Sequence, residues 1–220
     1  MSVNDIQNEE IFEWIFPVAC KYMGGDSSVA NETFIQKAKE LFPILLSAQN
    51  FRSYFEYISI DDFFKMTSPT AGSSEDLSFY LDDCDQVVGI FVTLGIGVDN
   101  MSNKLQHTSM SDAVLFDALA SAFLEYKTNE FEESLFLGPH TFRFAPGYGD
   151  IPLALNTLFI DAFSLTKRIG ICKTGDGLML PQKSMITFCG IGKSLAPVCG
   201  HCPRKNVCSL RKENLRCFSN

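Results

Sequence analysis

The sequence predicts an α+β domain with a central, largely antiparallel sheet and flanking helices, and three observations carry that prediction. Apolar residues recur at helical spacing over roughly the first fifty positions. The period then changes to two near Ser53. Beyond that point, strand and helix patterns follow one another without the regular alternation of a parallel α/β sheet. With 220 residues, 46% of them apolar and 20% charged, the chain has enough apolar material for a sizeable core.

The elements are expected in the following order. Glu9 to Met23 places Ile11, Trp14, Ile15, Val18 and Tyr22 at helical spacing, with Pro17 as a kink or break and Gly24-Gly25 as the stop. A second helix starts near Asn31, carries Phe34, Ala38, Leu41 and Leu45 on one side, and runs past Pro43. Ser53 to Ile60 alternates and reads as a strand, and Thr67 to Glu75 as a loop or hinge. Gln86 to Leu94 is too continuously apolar to be half exposed, so it is a central buried strand ended by Gly95-Ile96-Gly97. Those glycines are not a dinucleotide fingerprint, because Asn100 occupies the third glycine position. Ser111 and Asp112 are candidate caps for a helix striped by Leu115, Ala118, Leu119, Ala122 and Tyr126, with Glu125 on the same stripe. His140 to Ala145 reads as a strand turned by Pro146-Gly147. Asp150 and Pro152 then open a helix with Leu155, Leu158, Phe159, Ala162 and Leu165 inward, ending near Gly170. Ile169 to Lys173, Gly177 to Leu180 and Ser184 to Ile191 are three short strands. This divides the chain into N-terminal helices with a first strand (1–66), a core (76–195) and a tail (196–220).

The formal charge of −8 argues against a nucleic-acid partner. The longest nearly uncharged run, Val87 to Val98, is too short to span a bilayer, and the polar, acidic start lacks the form of a secretory signal. A cytoplasmic protein with no membrane contact is expected. The tail is compositionally distinct: Arg204 to Cys217 holds five basic residues against Glu213 alone, a local balance of +4 that leaves −12 on the rest of the chain. It also holds Cys199, Cys202, Cys208 and Cys217, whose spacing suits one metal site: zinc as a closed staple, or an iron–sulfur cluster as an electron carrier. Free thiols in a basic tail are the alternative. No Walker loop, G-x-S-x-G elbow or H-E-x-x-H helix is present.

Arg143 to Asp150, RFAPGYGD, is the most informative stretch. Arg143 offers a planar fork for a carboxylate. Pro146 presets a turn, and Gly147 permits close backbone approach. Tyr148 supplies an aromatic face for a base or a cation. A helix after Asp150 would aim its positive end at the turn. Glu125, preceded on its helix face by Ala118 and Ala122, puts a carboxylate beside small side chains, a place for an amine. The bland counterparts are a Pro-Gly turn with an exposed Arg and a hydrogen-bonded acid at the core boundary.

RFAPGYGD resembles the R-x-x-x-G-Y motif of the reactivation domain of cobalamin-dependent methionine synthase. LDDCDQVVGIFVTLG (Leu81 to Gly95), DALASAFLE (Asp117 to Glu125), KRIGI (Lys167 to Ile171) and MLPQKSMITFCGI (Met179 to Ile191) are similar, in the same order, to blocks of the stand-alone proteins of that family. The resemblance covers about Tyr80 to Cys208. It implies a helmet-like fold that presents S-adenosylmethionine to a corrinoid on a separate cobalamin-binding methionine synthase, with a low-potential electron donor. Arg143 would then hold the substrate carboxylate, Ala145 and Gly147 would give main-chain contacts, and Tyr148 would line the pocket. Ser121 departs from the pattern, since the full-length enzymes carry an acidic residue there, with Glu125 one turn on. A non-catalytic redox or interaction module built on the tail metal is the alternative expectation.

Overall fold

The structure, a computed structural model, describes residues 3–72, 74–135 and 137–195. It is an α+β domain around a three-stranded antiparallel sheet. The first helix, α1 (Val3–Tyr22), runs through Pro17 without interruption. It stops at Gly24-Gly25, where the Gly25 and Gly24 N–H groups close back on the Cys20 and Lys21 carbonyls at 2.9 and 3.0 Å. Helix α2 (Glu32–Ala48) starts where expected, because the Asn31 side chain accepts from the Phe34 N–H at 2.9 Å.

Strand β1 (Arg52–Ser59) pairs with β2 (Gln86–Thr93) over its whole length, Tyr54 facing Phe91 and Ile58 facing Val87. Between them lie α3 (Ile60–Ala71) and α4 (Glu75–Leu81), where the sequence suggested a loop over 67–75. Pro69 is tolerated in the last turn of α3, and Ser59 and Ser74 cap the two helices through the Asp62 and Leu77 N–H groups. Strand β2 then gives way directly to α5 (Ile96–Thr108), a polar helix with no counterpart in the sequence reading. Helix α6 (Met110–Ser134) carries the predicted stripe, with Leu115, Ala118, Leu119 and Ala122 buried, but its cap is Ser109.

The helix expected after Pro152 is split into α7 (Leu155–Ala162) and α8 (Leu165–Arg168) by Ser164, which has a φ of 51°. Leu155, Phe159 and Leu165 are inward as expected, whereas Ala162 is exposed. The first two of the late strands shrink to a two-residue ladder, β3 (Cys172–Lys173) with β4 (Met179–Leu180). Strand β5 (Ser184–Ile191) completes the sheet beside β2, in the order β1-β2-β5.

The central strand explains the architecture. Val87, Val88, Ile90, Phe91 and Val92 are all 0% exposed, so both faces of the sheet must be covered. Val88, Ile90, Val92 and Cys189 pack under α1, α2 and α6. Val87, Phe91, Ile186 and Phe188 pack with Phe63, Tyr80, Phe144 and Phe159 from α3, α4, α7 and the segment that follows α6. Among the described residues, no helix is long and apolar enough to cross a membrane.

Candidate functional site

The segment from His140 to Ala145 runs along the free edge of β5 but is not a continuous strand. Isolated bridges join His140 to Ile191 and Phe144 to Phe188 on one side, and Thr141 to Leu195 on the other. Pairing lapses between these points because the Thr141 hydroxyl, not a main-chain carbonyl, accepts from the Gly190 N–H at 2.9 Å. The alternation of an extended chain still holds. Phe142 and Phe144 point into the cluster on the α3–α4–α7 face, and Arg143 points the other way, toward α6.

There Arg143 meets three residues spaced at i, i+4 and i+7 along one helix face. Its Nη2 donates to Glu125 Oε2 at 3.0 Å and to Asn129 Oδ1 at 2.7 Å, and its Nη1 donates to Glu132 Oε2. The Arg143 side chain is 14% exposed, Glu132 15% and Glu125 33%. Two half-buried carboxylates therefore share one guanidinium. Glu132 has further partners on its other oxygen: Oε1 lies 3.2 Å from His140 Nε2 and accepts from the Cys189 thiol at 3.6 Å. His140 Nδ1 in turn lies 2.7 Å from the Gly138 carbonyl, so both ring nitrogens face acceptor oxygens. Burial first, then the Glu132 charge, push the Cys189 thiol well above its ordinary range, so it stays protonated and donates. Burial of the hydroxyl and the nearby Glu125 carboxylate likewise push the Tyr22 phenol up to about 12, against a smaller lowering by Arg143. Tyr22 as a whole residue is nevertheless 52% exposed.

A cleft opens at each end of this cluster. One of about 420 Å³ is lined by Tyr22, Ser121, Glu125 and Lys183, the lysine held by Asp117 Oδ1 at 2.7 Å and Ser121 Oγ at 2.8 Å. The other, of about 620 Å³, is lined by Asn129, Glu132, Gly138 and His140. Both volumes lie in the span of small-molecule sites, roughly 300 to 1,000 Å³.

The Pro-Gly turn is tightly built. The Tyr148 N–H donates to Ala145 O at 3.0 Å and the Gly147 N–H to Ile151 O at 2.8 Å. The Ala145 N–H and Gly147 C=O make no backbone bond among the described residues. Gly147 has a φ of 91°, and a Cβ there would stand 2.7 Å from Leu153 Cδ2, so a glycine is required. The Tyr148 ring packs edge-on to Tyr80 at 5.9 Å and tilted to Phe142 at 5.8 Å, on the opposite side of the segment from Arg143. The structure thus unites Arg143 with Glu125, and keeps Ala145 and Gly147 beside them in the chain. The Tyr148 ring belongs to the neighbouring aromatic cluster.

Asp150 does not cap the helix that follows it. Helix α7 begins five residues beyond, at Leu155, with Ala154 at its start and no side-chain cap, so Asp150 does not stand at its N-terminus. Asp150 instead caps α4. Its Oδ1 accepts from Ser74 Oγ at 2.5 Å and the Asp76 N–H at 3.2 Å, and its Oδ2 from the Glu75 N–H at 2.7 Å. The orphan N–H groups of α4 attract the carboxylate, and this anchors the turn. Gly149 makes the approach possible, since a Cβ would overlap the Asp76 carboxylate that accepts from the Asp150 N–H.

Burial alone pushes the Asp150 carboxyl up, but the hydrogen bonds from Ser74, Glu75 and Asp76 outweigh it and leave it below the usual carboxylate range. With an unfolded value of about 3.9, its stabilisation is present in full above that pH and is lost as the pH falls through the lower folded value. Asp150→Asn is expected to flatten the acid limb of stability, measured by urea unfolding from pH 7 to pH 3. Asp150→Ala is expected to cost about 1 kcal/mol at neutral pH.

Asn129, Glu132 and His140 are part of the cluster without having been singled out as site residues from the sequence. The signal for Asn129 and Glu132 was the i+4 and i+7 spacing from Glu125 along α6, whereas His140 is brought in by the edge segment beside β5. The four tail cysteines, Cys199, Cys202, Cys208 and Cys217, lie outside the described residues. Among those described, no group of three or more metal-ligating side chains converges.

These features define an α+β domain whose sheet edge carries an Arg-acid cluster and a Pro-Gly turn beside two open clefts. No protein-family model matches the sequence, and no curated protein matches it either. The fold is similar to that in the crystal structure of the MetH reactivation domain bound to AdoHcy. The TM-score is 0.50 at 14% sequence identity, over 94% of this chain and 84% of that one.

Proposed function

We propose that this protein binds S-adenosylmethionine at the Arg143 cluster and offers its methyl group to a corrinoid carried by a separate protein, such as a methionine synthase. The observation that carries the reading is the placement of Arg143 between Glu125 and the Pro146-Gly147 turn. A cation fork, a carboxylate one residue length away and two unbonded main-chain groups are what the carboxylate and amine of an amino-acid ligand need. The fold likeness to a reactivation domain bound to AdoHcy supports the same reading.

In this role Arg143 takes the ligand carboxylate and Glu125 the amine, while Ala145 and Gly147 give main-chain contacts and Tyr148 backs the turn. The chain contributes orientation. The methyl acceptor is the reduced cobalt, so no side chain has to remove a proton. A low-potential donor supplies the electron. The tail cysteines, as one zinc or iron–sulfur site, are part of the proposal, and metal analysis of purified protein decides it.

Isothermal calorimetry with AdoHcy tests the binding step. Micromolar or tighter binding by the full chain is expected, and no detectable heat at millimolar ligand would overturn the assignment.

A further inference from the structure

Arg143 meets its ligand role already occupied. Nη1 is given to Glu132, and Nη2 to Glu125 and Asn129, and these are donors that an incoming carboxylate requires. A ligand must displace something. Glu125 is a third exposed, and the proposed reading already gives it the ligand amine. Glu132 is more buried, with 15% of its side chain exposed, and stripping it of all partners would be costly. It is not stripped, however, if it moves away from Arg143. Its Oε1 is held separately by His140 Nε2 and the Cys189 thiol, on the far side of the carboxylate from the guanidinium. The thiol is held protonated by its surroundings and stays a donor to a charged Glu132. Glu132 also lines the 620 Å³ cleft together with His140 and Asn129, which gives its head group room to turn.

The geometry points to Glu132 as an internal competitor for the ligand carboxylate. It holds Arg143 in the unliganded protein and retreats onto His140 and Cys189 when an S-adenosyl ligand binds. The inference rests on the S-adenosyl reading of the site, and it makes Glu132 the residue that sets affinity for ligands bearing a carboxylate. A nucleoside thioether without that carboxylate has no reason to disturb the pair. Glu132 is a positioning residue in this account. Its effect is confined to one end of the ligand, which a merely structural role would not produce.

Calorimetry with AdoHcy and with 5′-methylthioadenosine, the same thioether nucleoside without the amino-acid end, separates the possibilities. Glu132→Gln keeps the shape and removes the competing charge; it is expected to tighten AdoHcy about tenfold and to leave methylthioadenosine within about twofold. His140→Ala withdraws one partner from the retreated Glu132, and is expected to weaken AdoHcy several-fold, again without effect on methylthioadenosine. In an Arg143→Ala background, Glu132→Gln should no longer change AdoHcy affinity, since the two act through one contact. Thermal unfolding of each variant checks that it is folded, and Glu132→Asp, which draws the carboxylate back by one methylene, is expected to shift AdoHcy affinity in the same direction should Glu132→Gln fold poorly. If wild type binds AdoHcy and Glu132→Gln binds it equally or more weakly, or tightens both nucleosides alike, the competitor role is overturned while the site assignment stands. If wild type binds no AdoHcy, the site assignment falls and this inference falls with it.

Discussion

Arg143→Ala is expected to weaken AdoHcy binding by about 2 to 4 kcal/mol, roughly 30- to 1,000-fold, and to destabilise the fold at the same time. The two effects have different origins. The expected loss of affinity is that of the fork proposed to hold the ligand carboxylate. The loss of stability comes from Glu125 and Glu132, which would face one another without their shared cation. Removing one partner of a fully buried pair costs about 3 to 5 kcal/mol; Glu125 is a third exposed, so about 2 kcal/mol is expected here. For a chain of 220 residues this lowers the melting temperature by roughly 4 to 8 °C. Arg143→Ala with Glu132→Gln separates the two origins: stability should largely return, because one of the facing charges is gone, and affinity should not. A double variant that regains AdoHcy binding would show that Arg143 is a strut between acids and not a ligand contact. Calorimetry and thermal unfolding on the same four proteins give both readings.

What the sequence conveys about this fold depends on how local the cause is. Strand β2 is legible because a strand covered on both faces must be apolar throughout, and Val87 to Val92 is. The stripe of α6 is legible from the helical spacing of its apolar residues, and the stop of α1 from the backbone freedom of Gly24-Gly25. Helix α5 is not, because its Asp, Asn, Ser, Lys and Gln residues give a weak apolar face. Pro69 and Pro17 mislead in the same direction, each suggesting a break inside a helix that tertiary packing holds together. Asp150 is the clearest case of a distant cause. Its local sequence suits a cap for the next helix, and the N-terminus it does cap lies 75 residues earlier, brought there by the sheet. The cluster at Arg143 was half visible. Glu125 stood out beside two alanines, while Asn129 and Glu132, on the same face, lie in the polar stretch TNEFEES, which reads as solvated surface until the edge segment is laid across it.

Mixed with a cobalamin-binding module in the cob(II)alamin state, a low-potential reductant and S-adenosylmethionine, the protein is expected to convert the cobalt spectrum to that of methylcobalamin. Omission of any one of these components, this chain included, should abolish the conversion. The stoichiometry fixes why. One electron from the donor reduces cobalt(II) to cobalt(I), and the new cobalt–carbon bond uses the cobalt(I) electron pair. The sulfonium–methyl bond breaks with its electrons left on sulfur, so neutral AdoHcy departs and no proton is transferred. In the proposed role the chain acts by holding the two reactants in line, and a displacement of about 1 Å is worth up to ~100-fold in rate. Arg143→Lys is the informative variant. It keeps the positive charge between Glu125 and Glu132, so the fold should persist, but replaces the planar fork with a point charge. At saturating S-adenosylmethionine it should still slow methylation by about ten- to a hundredfold, because the loss is one of alignment and not of occupancy. Methylation at an undiminished rate without the protein would refute the role. Reduction of cobalt that depends on this chain, with no methylation following, would instead assign it to electron delivery, and the tail cysteines would become the place to look for the carrier.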